Sequence, residues 1–158
     1  MANVKVKQKS IMEFATTRFG PVEVKEENII RFIDEIPGFP DAERFILIPH
    51  AKGSPFSWLQ SVEMPEVAFV VTNPWLFFEN YEPIISEADL DRIESEGKLD
   101  ENLVVLSILT IPDDPRRITA NLKAPIIINS RNNAAKQVIL ANDNYFTKHP
   151  LIPDSQEQ

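Results

Sequence analysis

"VAFVVT", residues 67–72, is almost wholly apolar, six residues long and rich in β-branched side chains. That is the pattern of a strand covered on both faces. Comparable runs lie on either side of it. "NIIRFID" (28–34) and "RFILIP" (44–49) flank the turn sequence "PGFPDAE", and "VEV" (22–24) follows a turn at Gly20-Pro21. "IMEFATT" (11–17) alternates apolar and polar residues. Downstream come "LVVLSILTI" (103–111), "RITANL" (117–122), "PIIIN" (125–129) and "QVILA" (137–141). Valine and isoleucine dominate these runs and suit a pleated, half-buried surface. Eight or nine short strands cut apart by turn residues predict a mainly β protein. The expected fold is a small antiparallel β-barrel, closed or nearly so, or a barrel-like sandwich. The thirteen prolines are spread along the chain against only four glycines, as turns between strands would place them.

One segment breaks the strand pattern. "SEADLDRIESEG" (86–97) predicts a short acidic helix over 86–96. Ser86 stands at an N-cap with Asp89 three residues later, and Glu87 and Asp89 favour the positive helix start. Leu90 and Ile93 form a narrow apolar stripe, and Gly97 suits the C-terminal cap. The expected organisation is a flexible tail over 1–10, one domain over 11–150 and a second tail over 151–158.

Composition removes several classes of chemistry. The 158-residue chain has no cysteine, so disulfides, thiolate nucleophiles and cysteine-bound zinc or iron–sulfur centres are excluded. No signal peptide is recognisable, and no run approaches the roughly 20 apolar residues of a membrane helix. A cytoplasmic, soluble protein is the expectation. The formal charge is −8, and residues 86–101 hold seven acids against Arg92 and Lys98. Such a chain repels phosphate backbones and attracts basic partners. Gly20, Gly38, Gly53 and Gly97 are far apart, so no phosphate-binding loop exists. His50 and His149 read as loop histidines in water, without the spacing of a metal site. The acid pairs, among them Asp113-Asp114 in the turn "IPDDPRR", show no convergence on a cleft. No catalytic, metal-binding or cofactor-binding residue emerges.

The remaining candidate is "TNPWLFFENYEP" (72–83), four aromatics with Glu79 and Glu82. A single-stranded nucleic-acid platform would interleave cations instead. Adjacent Phe77 and Phe78 would face opposite sides of a strand, so the aromatics do not all enter one core. Burial and protein binding are the readings left open.

The order of motifs resembles one family. "FGPVEV" (19–24), "IPGFPDAERFILI" (36–48), "FSWLQSVEMPEVAFVVTNP" (56–74), "NYEP" (80–83), "TANLKAPIIIN" (119–129) and "QVIL" (137–140) resemble the flagellar assembly factor FliW family over residues 11 to 150. One departure is the hairpin "SRNNAAK", where the family often has a glycine. Asn132 or Asn133 is expected to supply the left-handed residue there. The resemblance implies a β-barrel that binds flagellin in the cytoplasm in the manner of a chaperone. It implies that the free protein binds the RNA-binding translational repressor CsrA and stops it silencing flagellin synthesis, from a site outside the repressor's RNA groove. No cofactor, no membrane, no direct nucleic-acid contact and a monomer on its own are the accompanying expectations. On this reading Trp75 and one of Phe77 and Phe78 are buried. Tyr81 and the other phenylalanine lie at the surface with Glu79 and Glu82, giving Phe78, Glu79, Tyr81 and Glu82 as partner-binding candidates. Asn121 and Asn129 bracket a strand entered through Pro125, a candidate edge to which a partner strand adds. The competing readings are a barrel that binds a small molecule or cation, and an RNA-binding barrel disfavoured by its charge.

Overall fold

The computed structural model describes residues 11–96 and 101–152. The chain order is β1 (Ile11–Thr16), β2 (Gly20–Lys25), β3 (Ile30–Phe32), β4 (Arg44–Pro49), β5 (Phe56–Ser61), β6 (Ala68–Thr72), α1 (Glu87–Arg92), β7 (Leu103–Thr110), β8 (Thr119–Ala120), β9 (Ile126–Asn129), β10 (Ala134–Gln137) and β11 (His149–Pro150). Strands run β7-β6-β5-β4-β3-β10-β9, and β9 pairs back onto β7. The predicted barrel is therefore present and closed with seven strands. An odd ring cannot alternate direction all the way round, so one pairing must be parallel. That pairing is β3 with β10, Arg31 opposite Ala134 and Phe32 opposite Ala135.

Alternation explains how the barrel fills. Ile30, Phe32, Phe45, Leu59, Val71, Ile126, Ile128 and Ala135 pack into one buried cluster inside the ring. The residues between them face outward and are covered in two places. Ile46 and Ile48 on β4 meet Met12, Phe14, Val22 and Val24 of the β1–β2 hairpin, which lies against the outside of the barrel. Val105, Ile127 and Val70 meet Tyr81, Ile93, Leu122, Val138 and Leu140 from the connecting segments. "PIIIN" reads as a continuous apolar run because β9 is buried on both faces.

β8 and β9 are two parts of one path along β7. Leu109 faces Ala120 and Leu106 faces Ile126. A step of three residues on β7 thus opposes a step of six on its partner, and "NLKAP" bulges outward to absorb the difference. The expected edge at 121–129 is corrected by this pairing: β9 lies between β7 and β10 and offers no free ladder. Two further expectations shift. Residues 56–61 form a strand absent from the predicted set, and the last barrel strand is 134–137 rather than 137–141. The turn at 130–133 has its left-handed residue at Asn133, φ 57°, as the missing glycine required. Leu151, placed in the C-terminal tail by the sequence, donates to the Ile118 carbonyl at 3.0 Å. The expected tail over 1–10 and residues 153–158 lie outside the described residues.

The helix begins where the sequence placed it. The Ser86 hydroxyl accepts from the Asp89 N–H at 3.1 Å, and Ile93 is fully buried. It ends earlier than expected: the chain turns through Glu94 at φ 60°, and Gly97 lies outside the described residues. An ion-pair hub ties α1 to the barrel. Arg92 reaches Asp34 at 2.7 Å, and Lys136 reaches Asp34 at 3.0 Å and Asp89 at 3.5 Å. The Arg92 hydrogen bond, with that of Lys136, holds the Asp34 carboxyl below its ordinary pKa of 3.8. A depressed folded value means this contribution is complete above that ordinary value and fades as pH falls through the folded one. The stability difference between wild type and Asp34→Asn, read from urea midpoints, is expected to shrink below about pH 4 and on adding salt. The Asp34 side chain is 39% exposed and its partner Arg92 54%, so solvent screens the pair and at neutral pH the difference should stay under about 1 kcal/mol. No helix among the described residues is long and apolar enough to cross a membrane.

Candidate functional site

The segment after β6 cannot continue as strand, because Pro74 lacks an N–H. Asn73 caps a single 3-10 turn over Pro74–Leu76, its side chain accepting from the Trp75 N–H at 2.9 Å. The turn throws three large side chains outward in succession. Trp75, Leu76 and Phe77 are 38%, 60% and 37% exposed. Phe77 lies flat against Phe56, ring centroids 6.0 Å apart and planes within 11°. Phe78 turns inward, half-buried, with its ring 5.2 Å from His149.

Tyr81 reverses the expectation for this segment. It is 3% exposed, not at the surface, and its hydroxyl donates to the Leu122 carbonyl at 2.7 Å. Trp75, expected in the core, lies over it and donates its indole N–H to the Tyr81 carbonyl at 2.9 Å. The tyrosine wins the interior because the bulge at Leu122 presents a carbonyl that no strand partner satisfies, and a phenol reaches it. Burial, with a smaller contribution from Tyr145, pushes the Tyr81 phenol far above its ordinary pKa.

The C-terminal segment supplies the other wall. Tyr145 packs 4.8 Å from Tyr81 and its hydroxyl accepts from the Glu82 N–H at 2.8 Å. Asn142 donates to the Glu82 carbonyl at 3.0 Å and accepts from the Ile84 N–H at 2.9 Å. These side chains hold residues 81–85 as an extended strap without a strand partner. His149 sits on β11 against β8, in contact with Phe78 and Phe146, rather than in a watery loop. Its Nδ1 is buried, and desolvation lowers its pKa, so the ring is neutral at pH 7. His50 is exposed, as expected, with Nδ1 3.1 Å from the Ser54 hydroxyl.

Together these residues form an open concavity of about 450 Å³ lined by Phe77, Phe78, Glu79, Tyr81, Tyr145 and His149. Three of the predicted candidates, Phe78, Glu79 and Tyr81, meet here. Tyr81 contributes to its floor as a buried anchor. Glu82 is exposed next to it. Asn121 and Asn129 lie elsewhere and serve the fold. The Asn121 side chain accepts from the Ala124 N–H at 2.9 Å and shapes the bulge. Asn129 is 1% exposed and donates to the carbonyls of Ile93 at 2.9 Å and Glu94 at 3.1 Å. Sequence reasoning missed Tyr145, Phe146 and His149. Their closeness in "NYFTKH" was the available signal, but it acquires meaning only beside Phe78 and Tyr81.

The described residues contain no group of three or more histidine, aspartate or glutamate side chains placed to hold a metal. An aromatic hollow with exposed apolar side chains and a glutamate at its wall is an arrangement for holding a polypeptide.

Known proteins agree with this geometry. The family profile described as "FliW protein" matches residues 13–151. The chain is 41% identical over 147 residues to the flagellar assembly factor FliW of Alkaliphilus metalliredigens, covering 92% of this chain and 90% of that one. It is 41% identical to the protein of the same name from Bacillus subtilis, over 89% of this chain and 96% of that one. A solved structure described as the crystal structure of the flagellar assembly factor FliW superposes with a TM-score of 0.82 at 38% identity, covering 90% of this chain and 99% of that chain. That family consists of assembly factors and not of enzymes. A closed seven-stranded barrel with an aromatic hollow, matched over nearly its whole length, places this chain in the FliW family of flagellar assembly factors.

Proposed function

We propose that this protein binds flagellin in the cytoplasm as a chaperone-like partner. When free of flagellin it binds and antagonises the translational repressor CsrA, relieving repression of flagellin synthesis. The observation that carries this reading is the exposed run Trp75-Leu76-Phe77 beside the aromatic hollow, on a chain of net charge −8. An unassembled filament subunit exposes apolar surface that later becomes subunit contact. A rigid aromatic face suits it, since such side chains bring large contact area at low entropic cost. The second partner is an RNA-binding protein and presents cations, for which an acidic chain is complementary. Membership of a flagellar assembly family supports both roles.

The test is titration of the purified protein with flagellin and with the repressor, separately and together, at two salt concentrations. Leu76→Ser and Phe77→Ser should each weaken flagellin binding at least about tenfold, the range of a truncated apolar anchor. Leu76 is 60% exposed, so its urea midpoint should move by no more than about 0.5 kcal/mol equivalent, whereas Phe77→Ser also loses the packing on Phe56 and should cost about 1 kcal/mol. Unchanged flagellin affinity in both variants would remove the hollow from the interface. No binding of either partner by the wild type would remove the function.

A further inference from the structure

Trp58 stands apart from the rest of β5. Alternation turns Phe56 and Trp58 outward while Leu59 enters the barrel, and Trp58 joins none of the three buried clusters. Its cover comes from the turn between β1 and β2. The Phe19 ring lies edge-on to the indole at 6.0 Å, and the Arg18 guanidinium carbon sits 4.1 Å from the indole centre. The Thr17 N–H pins that turn to the barrel, donating to the Pro65 carbonyl at 2.9 Å.

A row of rings runs from Trp58 to the aromatic hollow. His50 lies 6.4 Å from both Trp58 and Phe56, and Phe56 stacks on the exposed Phe77 at 6.0 Å. Phe77 is itself a wall of the hollow. Two positions of β5 separate Phe56 from Trp58, so the row from Phe77 to Trp58 is no more than roughly 13 Å long.

The charge changes sign at the far end of this row. Arg18 is exposed, and its guanidinium makes no hydrogen bond or ion pair among the described residues. Glu66 lines the same shallow recess as Arg18 without pairing with it. Lys52, in the turn that carries His50, is also exposed and unpaired. A guanidinium resting on an indole is held in place by the ring, and its N–H groups stay free for a carboxylate. Such a cation is ordered before any partner arrives, so the pair forms at low entropic cost.

We propose that the flagellin site extends from the hollow along this row to Arg18, and that the flagellin segment it holds carries a carboxylate received by Arg18. The proposal rests on the flagellin reading above and adds the chemistry of the partner segment. That segment presents an apolar side chain at the hollow and an acidic one within roughly 13 Å of it. Continuity names the occupant, since Phe77 belongs both to the hollow and to the row. Charge excludes the other partner, because Arg18 and Lys52 repel a cation-rich RNA-binding repressor.

Arg18→Leu and Arg18→Glu test this by isothermal titration against purified flagellin and purified repressor at two salt concentrations. Leucine keeps an apolar cover on the indole and removes the charge, and glutamate reverses it. The side chain is exposed, so both variants should fold, which circular dichroism verifies. Flagellin binding is expected to weaken about fivefold in Arg18→Leu and about tenfold or more in Arg18→Glu at low salt, with smaller losses at high salt. Repressor affinity should hold or rise in Arg18→Glu, since the chain becomes more acidic. Full flagellin affinity in Arg18→Leu would show that the guanidinium only covers the indole, overturning the carboxylate contact and leaving the function standing. A loss of repressor rather than flagellin would overturn the assigned occupant. A wild type that binds neither partner would overturn the function and the extended site with it.

Discussion

Tyr81→Ala is expected to destabilise the protein by about 3–5 kcal/mol, the cost of truncating a buried aromatic ring. The side chain is 3% exposed, packs between Trp75 and Tyr145, and satisfies the Leu122 carbonyl at 2.7 Å. Alanine removes the ring and leaves that buried acceptor without its donor, two losses that act together. Single domains commonly hold only about 5–15 kcal/mol in total, so the variant should be partly unfolded near physiological temperature. Tyr81→Phe isolates the polar part and should cost about 1–3 kcal/mol, because the ring stays and only the hydroxyl goes. Urea denaturation followed by tryptophan fluorescence measures both, and Trp75, in contact with Tyr81, reports on the site itself. A Tyr81→Ala protein with a wild-type midpoint and a lost partner would mean that the ring belongs to the interface rather than to the core.

Asn129→Ala should be the next most damaging change, at about 2–4 kcal/mol. Asn129 is 1% exposed at the end of β9. Its amide donates to the carbonyls of Ile93 and Glu94, and its oxygen accepts from the Arg131 N–H at 3.0 Å. The carbonyls belong to the turn where Glu94 adopts φ 60°, which costs energy for a residue with a Cβ. The side chain therefore clamps the end of α1 onto the barrel. Asn132 donates to the Ile93 carbonyl at 3.3 Å, so the clamp weakens without vanishing. Amide hydrogen exchange should accelerate over 90–96 more than over β4 or β5. Uniform exchange with an unchanged denaturation midpoint would show that the helix is held by Ile93 burial alone.

Both residues were partner-binding candidates in the sequence, and both serve the interior. The reason is the same in each case. A polar side chain near a motif looks available until its hydrogen-bond partner is known, and here the partners are distant in sequence. Tyr81 bonds a carbonyl 41 positions away and Asn129 one 36 positions away. The missed strand at 56–61 has a related cause. Gln60 and Ser61 interrupt its apolar pattern, yet both are fully buried: the Gln60 side-chain nitrogen lies within 3.0–3.2 Å of the Ser61, Pro65 and Val67 carbonyls, though its oxygen has no protein partner, and the Ser61 hydroxyl accepts from the Met64 N–H at 2.9 Å. Alternation alone reports whether a residue is apolar, not whether a polar one is satisfied.

What the sequence determined by itself was local. β-Branched runs, proline and asparagine turns, the Ser86 cap and the left-handed residue in "SRNNAAK" each depend on neighbours a few positions away, and each was legible. The absence of cysteine and the excess of acid also needed no coordinates. Tertiary structure decided what depends on ring closure and on distant partners. Closing seven strands required one parallel pairing, and the mismatch along β7 forced "NLKAP" outward. That bulge exposed the carbonyl which drew Tyr81 inward and left Trp75, Leu76 and Phe77 at the surface. Burying any one of these rings gains a similar apolar term, so the hydrogen bond to the buried Leu122 carbonyl, which a phenol can make, selected the tyrosine as the aromatic the protein buries.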